Sequence, residues 1–125
     1  MTRLNINISE EFLQFGADIM VFTDLLASSR VNNAIINQVL RSGTSAGANY
    51  EEACGAESKA DFVHKLQIVL KELKETHYWL KLLCTAELNK KVEVVNYSCE
   101  CDELSRIIGK SIITAKNKCK SQNAK

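Results

Sequence analysis

Proline does not occur in this 125-residue chain, where average usage would place about six. Proline breaks helix interiors, so its absence favours a nearly all-helical protein. Long apolar runs are missing too. None approaches the roughly 20 residues that a membrane-spanning helix needs, so no membrane partner is expected. Residues 1–8 lack both a cationic start and a continuous apolar core, which argues against a secretory leader. The five cysteines are odd in number and have no paired spacing. They are expected to be reduced thiols in a cytoplasmic protein, not a disulfide framework. An excess of charge is also lacking: the net charge of +1 supplies no bulk attraction to nucleic acid or acidic membrane.

The patterns that carry chemistry are equally scarce. A di-iron site in a helical bundle needs two Glu-x-x-His pairs and two further inward glutamates. This chain has two histidines, His64 and His77, and no Glu-x-x-His; Asp61 and His64 stand three apart, but only once. Cys99, Cys101 and Cys119 do not have the paired spacing or the four ligands of a zinc site. No polarising partner for a nucleophilic cysteine is identifiable from spacing. The glycines at 43 and 47 are followed by no Gly-Lys-Ser/Thr and preceded by no strand, which argues against a phosphate loop. Glu72 and Glu75 suit ion pairing with Lys71, Arg41 or a neighbouring chain better than acid–base work. No catalytic residue, metal or cofactor is expected, and the chain reads as a non-enzyme.

What is present is helical periodicity. Its 46% hydrophobic and 25% charged residues suit one soluble domain, 1–125, with a single core. Ser9 is a candidate cap for a first helix, about 9–28, with Phe12, Phe15, Ile19, Phe22 and Leu26 on its apolar stripe. A second helix, about 33–54, carries Ile36, Val39, Leu40, Gly43, Gly47, Tyr50 and Cys54 on one side. Each glycine costs about 1 kcal/mol against alanine in a helix interior, so two on one face imply close approach of a neighbouring helix. Gly55 suits a left-handed cap. Ser58, three residues before Asp61, opens a third helix, about 58–87. Phe62, Leu66, Val69, Leu73, Thr76 and Leu80 line its buried face. The KKVEVVNY stretch at 90–97 is β-branched and reads as a loop. A fourth helix, about 98–120, then presents Cys101, Leu104, Ile108, Ile112, Ala115 and Cys119. Residues 1–8 are expected to form an extended arm and 121–125 to be disordered. The fold class is all-α, an up-down-up-down four-helix bundle.

The segments RSGTSAGAN, EEACGAESKADF, HKLQIVLKE and ETHYWLKLL, all within residues 41–83, resemble the signature of the four-helix-bundle proteins called 23S rRNA intervening-sequence proteins. Most members of that family have no established activity. Related accessory proteins of diversity-generating retroelements form ring-shaped homopentamers with a basic surface. The resemblance therefore implies a bundle, self-association with five copies as the expected count, and a conjectural role with RNA or DNA.

Three residue groups are candidates for function. Ile68, Trp79 and Leu82, beside Glu72 and Glu75, form a second apolar stripe on the third helix, the expected oligomer interface. Arg41, Ser45, Asn49, Glu52, Asp61 and Lys65 are expected to form a hydrogen-bonded network between the second and third helices. The charge distribution gives the last group: residues 1–57 hold three basic and seven acidic side chains, while Arg106 onward holds six basic and none acidic. Arg106, Lys110, Lys116, Lys118 and Lys120 are thus candidate nucleic-acid contacts. Positive charge also suits a helix C-terminus, and the absence of interleaved aromatics gives no indication of base stacking. The expected function is a self-associating scaffold or adaptor, with an RNA- or DNA-binding accessory protein as the alternative.

Overall fold

The computed structural model describes residues 7–26, 29–86 and 91–123, with side chains from 93 to 118 in the last segment. Four helices follow in chain order: α1 Ile8–Asp24, α2 Arg30–Cys54, α3 Lys59–Ala86 and α4 Lys91–Asn123. No strand occurs among the described residues. Sequential helices pack side by side, as an up-and-down bundle with short connections requires.

Local chemistry sets the helix starts. Asn7, not Ser9, caps α1, its side chain accepting from the Glu10 amide at 3.3 Å. Glu10 and Glu11 then occupy the first turn, where carboxylates face unpaired backbone amides. Ile8 is therefore already helical, which shortens the expected arm; residues 1–6 lie outside the described residues. Ser29 caps α2 by accepting from the Asn32 amide at 3.1 Å. That helix begins at Arg30, earlier than Asn33, and buries Asn32. Ser58 accepts from the Asp61 amide at 3.0 Å, as its spacing predicts.

The helix ends differ from expectation in two places. α1 stops at Asp24, well short of residue 28, with the Leu25 amide turned to the Phe22 carbonyl at 3.1 Å. Gly55 ends α2 at φ −96°, not in the left-handed region; its amide reaches the Glu52 carbonyl at 3.1 Å.

The largest correction concerns α4. No loop spans 91–97: the helix starts at Lys91 and runs through residues 121–123, leaving only 124–125 of the expected disordered end outside the described residues. It exceeds α3 in length, 33 residues against 28. Valine forfeits only about 0.5 kcal/mol per residue in helix propensity. Burial of one valine returns roughly 1.5–3 kcal/mol. Val94 is buried with Cys101, Leu104 and Ile108, so the three-four periodicity extends back through 94 and 97. Tyr97 packs its ring on Phe22 of α1, centroids 4.8 Å apart.

One core joins all four helices: Phe12, Phe15, Ile19 and Phe22 meet Val39 and Ala46, Leu66, Leu73 and Leu80, and Cys101 and Ile108. α1 lies close on α2 because two glycines stand where they touch. A Cβ on Gly47 would lie 3.3 Å from the Phe12 Cβ and 3.5 Å from its carbonyl oxygen. A Cβ on Gly43 would lie 3.2 Å from Ile19 Cγ2. Gly109 has no neighbour within 4 Å, so no close helix contact explains it.

Candidate functional site

The α2–α3 seam is closed by polar groups. At its centre Thr76 donates its hydroxyl to Ser42 Oγ at 2.7 Å, and both residues are fully buried. Each hydroxyl also lies within hydrogen-bond distance of a carbonyl one turn back, Ser42 to Gln38 and Thr76 to Glu72, both at 2.8 Å. Neither buried hydroxyl is stranded, which would cost about 1–3 kcal/mol. At the rim, Arg41 crosses from α2 to pair with Glu72 at 3.4 Å and with Glu75. Trp79 joins that clamp, its indole N–H donating to Glu75 Oε2 at 3.2 Å.

This arrangement changes the place of the two residue sets expected on these helices. Trp79 and Ile68 are half-buried, and the indole packs against this chain's own core, with Tyr78 edge-on at 5.1 Å. Glu72 and Glu75 serve the intrachain clamp, and Leu82 is 36% exposed. Of the six-residue polar network, only Arg41 reaches across helices. Asn49 donates to the Ser45 carbonyl at 2.9 Å within α2. Glu52 is exposed, and Asp61 and Lys65 are half-buried without bonds to the others.

Another apolar surface lies on α1. Leu13 (76% exposed), Met20 and Val21 point outward from α1, and Leu25 (68%) is exposed at its C-cap. Leu13, Ala17 and Met20 recur at three-four spacing opposite the buried phenylalanines, forming a second stripe that the phenylalanine pattern masks in the sequence. Against α2 this stripe walls a cleft of about 350 Å³, lined on the α2 side by Thr44, Gly47, Ala48 and Glu51. Met20 also borders a second cleft, which continues past Val21 and Leu25 to Leu40. Contiguous exposed apolar surface of this kind marks a place where another molecule docks.

Two further surfaces carry charge. Arg106 pairs with Asp102 at 2.7 Å, and Lys110, Lys116 and Lys118 are exposed on α4; the Lys120 side chain lies outside the described ones. Exposed Ile113 sits among these lysines. Between α1 and α4, a cleft is lined by Glu11, Asp18, Glu100 and Glu103. Beside this acidic seam the Tyr97 hydroxyl is raised above its usual pKa, first by burial and then by Asp18, Glu100 and Glu93. Burial pushes the Cys101 thiol up to about 12, which makes it a packing group and no nucleophile. Tyr50, stacked on Phe12 at 5.1 Å, is also raised to about 12, by burial and then by Cys54 and Glu51. Among the described residues no cluster of His, Cys, Asp or Glu has a metal-holding arrangement. No helix among them is long and apolar enough to cross a membrane.

Comparison with known proteins follows this geometry. A family model described as 23S rRNA-intervening sequence protein matches residues 5–110. A crystal structure of a protein of unknown function from the S23 ribosomal protein family of Bacteroides thetaiotaomicron is similar over most of this chain. The two chains share 34% identity and a TM-score of 0.74, over 85% of this chain and 98% of that one. No curated protein matches.

Proposed function

The chain belongs to the 23S rRNA-intervening sequence protein family, and from that premise we propose that it is a non-enzymatic, self-associating bundle that works in the cytoplasm as a scaffold or adaptor. One observation carries this: three large apolar side chains, Leu13, Met20 and Val21, stand more than half exposed on α1, with Leu25 likewise exposed at its C-cap. Leaving such a face in water forgoes roughly 25 cal/mol per Å² of burial. A partner recovers that free energy, and a second copy is always at hand. The α3 stripe at Ile68, Trp79 and Leu82 offers less, because its own chain covers most of it. Five copies is the expected count. Sedimentation velocity across the micromolar range tests the proposal. A mass well above one chain, falling on dilution, supports it; a single-chain mass throughout refutes it.

A nucleic-acid role has its own observation, the exposed α4 lysines with no acidic residue after Glu103. Copies of that face, brought together in an assembly, present phosphates with a basic surface. Binding would then fall steeply with salt, and the absence of any shift with rRNA fragments or generic duplex at low salt removes it.

A further inference from the structure

The open cleft on α1–α2 and the basic face on α4 are complementary in two respects. The first is charge. No basic residue lines either α1–α2 cleft, while Glu51 lies at one end, Asp24 at the other, and Glu10 one turn before Leu13. On α4, Ile113 is 61% exposed, and Lys110 and Lys116 flank it at three residues before and three after. The second is shape of the apolar surface. The two clefts share Met20 and together offer an apolar trough with Glu51 in one cleft and Asp24 in the other; α4 offers an apolar knob with basic sides. Phosphate contacts would use the lysines and leave Ile113 in water, whereas a protein trough uses all three.

Gly16 adds an independent sign. It lines the cleft, and a Cβ placed there would meet nothing within 4 Å. Glycine in the middle of a helix is about 1 kcal/mol worse than alanine, and no neighbour inside this chain requires it. Gly43 and Gly47 on the facing helix have such neighbours; Gly16 keeps the trough open toward the outside.

We propose that the α1–α2 cleft receives the Lys110–Ile113–Lys116 face of α4 from a second copy of this chain. This rests on the self-association proposed above and names its two surfaces. Because they are different patches, the contact is head-to-tail: every copy has one free cleft and one free α4 face, and assembly continues until a ring closes or a filament grows. Lysine–carboxylate pairing at the trough ends sets direction and makes assembly weaken with salt.

The test uses two full-length variants and their mixture, followed by sedimentation velocity. Gly16→Phe directs a ring into the open cleft from a position where an added Cβ meets nothing within 4 Å, so its helix content and urea midpoint should match or exceed wild type while its mass falls to one chain. Ile113→Asp should likewise lose association, by at least about tenfold. Mixed in equal amounts, the two should form a one-to-one dimer and nothing larger, since only one intact cleft and one intact α4 face remain. A mixture that stays monomeric, or Ile113→Asp associating as well as wild type, overturns the assignment. Assembly unchanged in both variants overturns it too, while leaving self-association standing through another surface. A single-chain wild type removes both. If wild type assembles only on adding RNA, the α4 face belongs to nucleic acid and the assignment is wrong.

Discussion

The two sides of α2 are solved in opposite ways. Toward α3 it presents Ser42, paired with Thr76 in a dry seam, and Arg41, held by two glutamates. Toward α1 it borders a trough where Leu13 and Met20 stand exposed and half-buried Leu40 lines the far part. The first face satisfies every group within one copy. The second leaves apolar surface that one copy has no means to hide. Stability and assembly are therefore separable, and substitutions on the two sides should behave differently.

The sharpest contrast is between two leucines. Leu73→Ala, at a fully buried position, should lower unfolding free energy by about 2–5 kcal/mol. Leu13→Ala, at an exposed one, should change a single copy by no more than about 0.5 kcal/mol. Urea midpoints measured below the assembly concentration compare them, and equal losses would erase the distinction between the faces.

Next in size is the helix contact beneath the trough. Gly47→Val forces its new carbons against the Phe12 backbone and should cost about 1–3 kcal/mol; a neutral result would mean α1 can lift off α2 freely. Smaller again is the hydroxyl pair. Thr76→Val alone should cost about 1 kcal/mol, and Ser42→Ala with Thr76→Val should be less than additive, because the second change removes a group already without its partner. Smallest is the clamp. Arg41→Ala should cost at most about 1 kcal/mol, since Arg41 is 48% exposed and such pairs contribute little. A shift in Trp79 fluorescence should accompany it, because the indole bonds to the same Glu75.

A pH series reads the core directly. The Cys101 thiol lies near 12 when folded, against an ordinary value of 9.0. Between those values the unfolded chain has released a proton that the folded chain keeps, so stability falls as pH rises from about 9 toward 12. Cys101→Ala should flatten that decline relative to wild type, and identical slopes would contradict it. Tyr50 contributes in the same direction over the upper part of the window.

Much of the bundle is legible in the sequence. The missing prolines, the Ser58 cap and the phenylalanine, leucine and isoleucine stripes place the helices and most of the core. Residues 91–97 are not legible, because three valines suggest a break and only the burial of Val94 and the docking of Tyr97 on Phe22 make the segment helical. Long-range packing overrides local preference there. The outward face is harder for a different reason. Trp79 is the most conspicuous apolar residue, yet Glu75 and the core claim it. Leu13, Ala17 and Met20 are modest by comparison, and the stronger phenylalanine stripe masks their three-four spacing. Which of two stripes on a helix is covered depends on its neighbours, and periodicity alone does not say.

The claim that the α1–α2 trough is covered by another copy is tested most directly by the mass of wild type beside Leu13→Asp at equal micromolar concentration. Wild type should sediment as a multiple of one chain, and the variant as one chain with its helix content intact. Equal masses for the two, whether single or multiple, would contradict it.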